Sequence, residues 1–232
     1  MVGKGLAGIG GGAFGLLLAI RIADGSYAAL VQGWYRPVLI GTALVLLVLA
    51  AVVSYQVMRS NGRWKLQMQP RAVVMVALAA IPLALGFAYE PKPLGSASLE
   101  TLQDGGRSSL EFSSTAMGSD PSQRNIYQWA FEFANTEPSE LLGESVNVMG
   151  FVYHASDQPD GTFQVARFVV ACCVADARGY MLPIRWNGAD SLRNDTWVEV
   201  TGRIGTAPDG SLVVMADTVE QIEAPANPYI YP

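Results

Sequence analysis

Three long apolar stretches, near residues 6–23, 37–58 and 72–89, decide most of what this chain can become. A hydrocarbon core of about 30 Å takes roughly 17 to 25 predominantly apolar helical residues to cross, and each stretch is of that length. The first, "LAGIGGGAFGLLLAI", is rich in Gly and follows Lys4. Arg21 and Asp24 stand where a signal peptide would carry the small residues of its cleavage site, so it reads as a retained helix. The second, "PVLIGTALVLLVLAAVVSYQVM", opens on Pro37 and holds no charge. The third contains Pro82, which kinks a helix but is tolerated where neighbouring helices re-satisfy the freed carbonyl.

The connections orient these spans. Arg59, Arg63, Lys65 and Arg71 crowd the second connection with no acid among them, whereas the first has Arg21 and Arg36 near its ends and Asp24 between. By the positive-inside rule the second connection is cytoplasmic. The N-terminus is then inside and everything after about residue 90 outside, which predicts a multi-pass inner-membrane protein with an extracytoplasmic C-terminal domain. Trp34, Tyr35, Tyr55, Trp64 and Tyr89 flank the spans where interfacial aromatics belong. Residues 1–89 carry seven Lys or Arg against one acid, a balance of +6, and residues 90–232 carry eight against nineteen, a balance of −11. An acidic domain lacks the basic footprint that nucleic acid requires, so lipid is an expected partner and nucleic acid is not.

After the 1–90 membrane region, residues 91–123 are rich in Ser, Gly and polar side chains without periodicity and read as a flexible tether. Ile126, Trp129, Ala130 and Phe133 share one face at helical spacing, which predicts a short helix over 125–135. From 144 the pattern turns to short β-rich runs, "SVNVMGFVYH", "TFQVARFVVACCV", "YMLPIRW", "TWVEVTGRI" and "SLVVMADTVEQIE", with Pro-Asp-Gly turns at 159–161 and 208–210. Five strands of this kind predict an extracytoplasmic domain over 124–232, a small all-β OB-like barrel, a fold that binds ligands on its second and third strands. That analogy assigns no function.

Cys172 and Cys173 are adjacent and are the two cysteines of the chain. Placed in a strand, one would face the core and the other outward, and a bond between neighbours about 3.8 Å apart at Cα would be strained. Three readings compete. The pair can be small hydrophobes in a barrel core. It can hold a soft metal or metalloid such as zinc, copper(I) or arsenic(III), with Asp176 or His154 as a further donor. It can exchange thiols, although C-x-x-C spacing is missing. His154, at the end of the first strand, is otherwise a surface imidazole, and Arg167, Asp176 and Arg178 are candidates for an ion-pair network. No phosphate loop, nucleophile elbow, catalytic carboxylate pair or HExxH is present in the sequence, so an enzyme is not expected.

"IPLALGFAYEPKPLGSASL", "VNVMGFVY", "ARFVVACCVADARG", "WVEVTGRI" and the closing "NPYIYP" together resemble the YcgQ-like family of uncharacterised bacterial membrane proteins. Such proteins are commonly paired with a YcgR-like permease, itself similar to metalloid exporters. The resemblance implies a two-component membrane system with this chain as the accessory, non-permease part, and it places Arg167, Cys172, Cys173, Ala175, Asp176 and Ala177 in the family's motif. The expected role is capture or delivery of a soft metal, metalloid or small ligand by the external domain. The alternatives are an envelope adaptor with buried cysteines and an extracytoplasmic thiol-redox protein. Gly11, Gly12, Ala13 and Gly15 allow close helix approach, either to a permease or within the bundle of this chain.

Overall fold

Helices α1 (Val2–Ala23), α2 (Arg36–Arg59) and α3 (Pro70–Ala88) fall on the three apolar stretches, and α3 runs unbroken through Pro82. The computed structural model describes residues 2–59, 70–89, 91–104, 121–156 and 158–231. The chain divides into two units, 1–92 and 93–232. In the first unit, a Cβ added to Gly12 would lie 3.0 Å from that of Ala50, and one on Gly15 3.1 Å from that of Leu46. These glycines therefore let α1 and α2 pack closely and antiparallel within the chain itself. The Arg21 guanidinium, at the end of α1, donates to the Gly86 carbonyl at 3.0 Å and to the Tyr89 carbonyl. It thereby caps the C-terminal end of α3, and α1 and α3 run in the same direction.

Among the described residues one helical run, Gly33–Gln56, is long and apolar enough to cross a membrane, and the apolar run Gly10–Ala23 of α1 is shorter. The basic connection at 60–69, with Arg63, Trp64 and Lys65, lies outside the described residues.

The second unit opens with a correction. The tether expected over 91–123 carries helix α4 (Ser96–Asp104), whose Leu99 is buried against the β domain; residues 105–120 lie outside the described part. Helix α5 (Ile126–Asn135) matches the predicted helix. It starts at Asn125 because the Asn125 side chain accepts from the Gln128 N–H at 3.1 Å while the Gln128 side chain accepts from the Asn125 N–H at 2.9 Å. A four-residue helix, α6 (Pro138–Leu141), follows.

Five strands form the small closed barrel: β1 (Ser145–Tyr153), β2 (Thr162–Val169), β3 (Arg178–Arg185), β4 (Trp197–Thr206) and β5 (Leu212–Gln221), in the order β1-β2-β3-β5-β4. All neighbours are antiparallel except β3 and β5, which are parallel, and β1 pairing with β4 completes the ring. Gly161 and Gly210 of the two Pro-Asp-Gly turns have φ of +70° and +84°, a conformation that glycine takes without steric cost. Val148, Val152, Phe163, Val165, Leu182, Ile184, Val198, Val200 and Val214 fill the barrel. Ile126 and Trp129 of α5 are buried in that same core, each side chain contributing about 1.5–3 kcal/mol in transfer from water. Gly150 makes room for α5, since a Cβ there would come within 2.7 Å of the Ile126 side chain.

A second apolar cluster lies on the other face of the strands. Phe151 and Tyr153 of β1 and Ala166 and Phe168 of β2 join Leu99, Val170, Ala177 and Tyr229, with Val174, Met181 and Trp197 packed against them. It gathers α4, the loop after β2 and the C-terminal segment into one patch.

Candidate metal site

Strand β2 stops at Val169, so the cysteines are not in it. The C-terminal segment takes over as partner: the Ile230 N–H donates to the Phe168 carbonyl at 2.8 Å and the Val170 N–H to the Ile230 carbonyl at 3.0 Å. The chain then turns. Asp176 gathers the turn on its carboxylate, which accepts the N–H groups of Ala171 at 2.8 Å, Cys172 at 2.8 Å and Cys173 at 3.3 Å. In return the Asp176 N–H donates to the Cys173 carbonyl at 2.9 Å, which closes the single helical turn Val174–Asp176. Turning the backbone out of the strand removes the alternation that would set the two side chains on opposite faces. Instead the sulfurs of Cys172 and Cys173 lie 3.7 Å apart, and both residues are half-exposed. One thiol in and one thiol out, and equally a buried pair, are therefore both overturned.

The carboxylate sets the state of the first thiol. The Cys172 thiol is pushed up to about 12, first by its hydrogen bond to the Asp176 carboxylate and then by that to Cys173. At Asp176 burial acts to raise the pKa, but the Cys172 thiol and the N–H groups of Ala171, Cys172 and Cys173 outweigh it and hold the carboxyl below its ordinary value. Near neutral pH the loop therefore holds a thiol at Cys172 beside an ionised Asp176. Sulfurs and carboxylate oxygen lie within 4.8 Å of one another, a donor set that a metal ion can use.

The barrel and its thiol loop both lie in a segment with known relatives. Residues 122–232 match the DUF1980 C-terminal domain. The chain is also a weak homologue of the UPF0703 protein YcgQ of Bacillus subtilis (strain 168), 26% identical over 99 residues, which is 40% of this chain and 35% of that protein. The chain thus spans about a third of the length of that relative. The DUF1980 match takes in α5, the five strands and the thiol loop, so the resemblance carried by the RF…CC-ADA residues holds for this half.

Elsewhere in the matched segment, His154 and Arg167 are placed apart from the thiols. His154 follows β1, where Nε2 donates to the Leu192 carbonyl at 3.0 Å and Nδ1 accepts from the Gln158 amide at 2.8 Å. Both ring nitrogens are used locally, and His154 is not in the donor cluster. Arg167 does not meet Asp176; it donates to the carbonyls of Pro228 at 3.1 Å and Asn227 at 2.8 Å and lies over the Trp197 ring. It fastens the C-terminal segment. Arg178 opens β3, just past the loop. Sequence reasoning missed Tyr229 and Asp195. The Tyr229 hydroxyl accepts the Leu94 N–H at 3.1 Å, and Asp195 accepts the Ser96 N–H at 2.6 Å and the Ser96 hydroxyl at 2.9 Å. The residues were in view, Tyr229 in the closing "NPYIYP" and Ser96 in "PKPLGSASL", but nothing local told of the 135 and 99 positions that each bond spans.

Proposed function

We propose that this chain is a membrane-anchored binding protein whose barrel captures and hands over a thiophilic ion through Cys172 and Cys173. The observation that carries the reading is the sulfur separation of 3.7 Å. Two thiolates on a tetrahedral zinc, at about 2.3 Å each, stand about 3.8 Å apart, whereas a linear arrangement at that bond length would need about 4.6 Å. The spacing thus favours zinc over two-coordinate copper(I). Asp176, with three backbone N–H groups already on it, serves chiefly to shape the loop. Two sulfurs leave two tetrahedral positions for water or for donors from an acceptor. Such a site suits transfer better than permanent retention. Binding rather than catalysis is what this donor set supports.

Three crossings, with the N-terminus inside and the domain outside, are supported by the parallel α1 and α3 with α2 antiparallel to α1, and by the cluster of basic residues from Arg59 to Arg71. The OB-like reading of the barrel is supported by its strand order and the parallel β3–β5 pair. An accessory role beside a YcgR-like permease rests on the family resemblance. Full-length protein in mild detergent, reduced and free of air, should bind one zinc per chain in competition with a chromophoric chelator. The Cys172→Ser, Cys173→Ser double variant should lose that zinc and keep its circular dichroism. Equal zinc binding by the double variant sinks the site. Purification from the native membrane should bring down a polytopic permease in stoichiometric amount, and a solitary protein would remove the accessory role.

A further inference from the structure

The thiol loop, the C-terminal segment and α4 share one apolar cluster. Val170 and Ala177 at the two ends of the loop are buried in it together with Leu99 of α4 and Tyr229, and Val174 of the loop packs against them. Gly179, two residues past Ala177, is where Leu99 sits; a Cβ on Gly179 would collide with the Leu99 side chain. The start of α4 is held by two distant groups, Tyr229 on the Leu94 N–H and Asp195 on Ser96. Tyr229 in turn precedes Ile230, whose two backbone bonds brace the chain at Phe168 and Val170, just before the cysteines. The segment that leads from the membrane helices into the domain is therefore packed on the same side chains as the loop that carries the thiols.

We propose that filling the thiol site loosens the docking of α4, so that the domain reports its occupancy to the chain segment leading to the membrane. This rests on the ion-binding reading of Cys172 and Cys173. The physical step is local. The two sulfurs contact each other at 3.7 Å, and the Asp176 carboxylate holds the N–H groups of Ala171, Cys172 and Cys173 that carry them. Sulfurs turned to an ion give up their mutual contact, the backbone that carries them moves against the Asp176 carboxylate, and Val174 and Ala177 shift within a cluster too closely packed to absorb movement. Among the described residues Leu99 is the buried apolar anchor of α4, and the bonds that hold the start of α4 are polar. By linkage, undocking α4 must tighten the thiol site by the same factor as the ion loosens α4.

The test uses the full-length protein in detergent with zinc as the probe. In the wild type, zinc should raise amide exchange over residues 93–101 at least threefold, and the Cys172→Ser, Cys173→Ser variant should show no rise. Leu99→Ala and, as a milder variant that leaves the cluster filled, Ser96→Ala should each bind zinc at least threefold more tightly and, without zinc, should change the alkylation rate of the two thiols. Zinc binding with unchanged exchange and unchanged affinity in both variants overturns the coupling and leaves the ion site standing. Absence of zinc binding overturns the ion site; alkylation rates shifted in both variants would then still support the link from α4 to the loop, and unshifted rates would overturn it.

Discussion

At the scale of single residues, Asp176 decides the chemistry of the pair. Its hydrogen bond with the Cys172 thiol keeps that proton in place, with the thiol pushed up to about 12, so Asp176→Asn, which puts a weaker neutral acceptor there, should let that pKa fall toward its ordinary value. Alkylation of Cys172 by iodoacetamide at pH 8, followed by mass spectrometry, should quicken at least tenfold; an unchanged rate would mean that the carboxylate does not govern the thiol. The sign of the pH dependence follows from the same shifts. Cys172 has a folded pKa above its ordinary 9.0, so its contribution to stability is complete below that value and is lost as pH rises toward 12. Asp176 has a folded pKa below its ordinary 3.8, so its contribution is complete above that value and is lost on acidification below it. Thermal melting of the wild type should therefore fall between pH 9 and 12 more steeply than that of Cys172→Ser, and parallel curves would contradict the assignment.

Elements built on local pattern were legible, and those built on distant partners were not. The apolar face of α5 and the alternating runs of β1, β3, β4 and β5 are short-range signals, and the structure follows them to within a few residues. The run "VARFVVACCV" carries the same β-forming composition to its end, yet β2 breaks at Val169. A carboxylate further along captures three N–H groups that a strand would have paired, and a segment about 60 residues away supplies the bonds before them. Helix α4 was hidden for a related reason: a nine-residue segment, "SASLETLQD", is too short and too polar to make a sustained periodicity, and the groups that hold its start come from Asp195 and Tyr229. At Gly150 the close approach of α5 predicts a sensitive position. Gly150→Ala should cost about 1–3 kcal/mol, because the added Cβ would meet the Ala166 carbonyl of β2 at 2.5 Å and the Ile126 side chain at 2.7 Å, as measured by urea unfolding, and a neutral result would show that the β1–β2 pair and α5 can both give way.

At the scale of the whole molecule, the expected three-crossing layout makes a plain prediction. Protease added to intact spheroplasts should release the DUF1980 domain by cutting before residue 122, whereas a reporter joined within the basic connection at 60–69 should stay protected; the reverse pattern would invert the orientation. The thiol loop falls within the segment that matches the DUF1980 C-terminal domain, so the site was legible there as a motif long before its geometry was. A closed ring has a further consequence. Every strand of the barrel has a neighbour on both sides, and the end of β2 is covered by Ile230 as well. The ring is thinnest between β3 and β5, which pair at Ile184–Val214 and Arg185–Met215, so a peptide extending the sheet would have to enter at that seam. Around the rest of the ring recognition falls to side chains and loops, a surface that partners read by shape and charge instead of by strand addition.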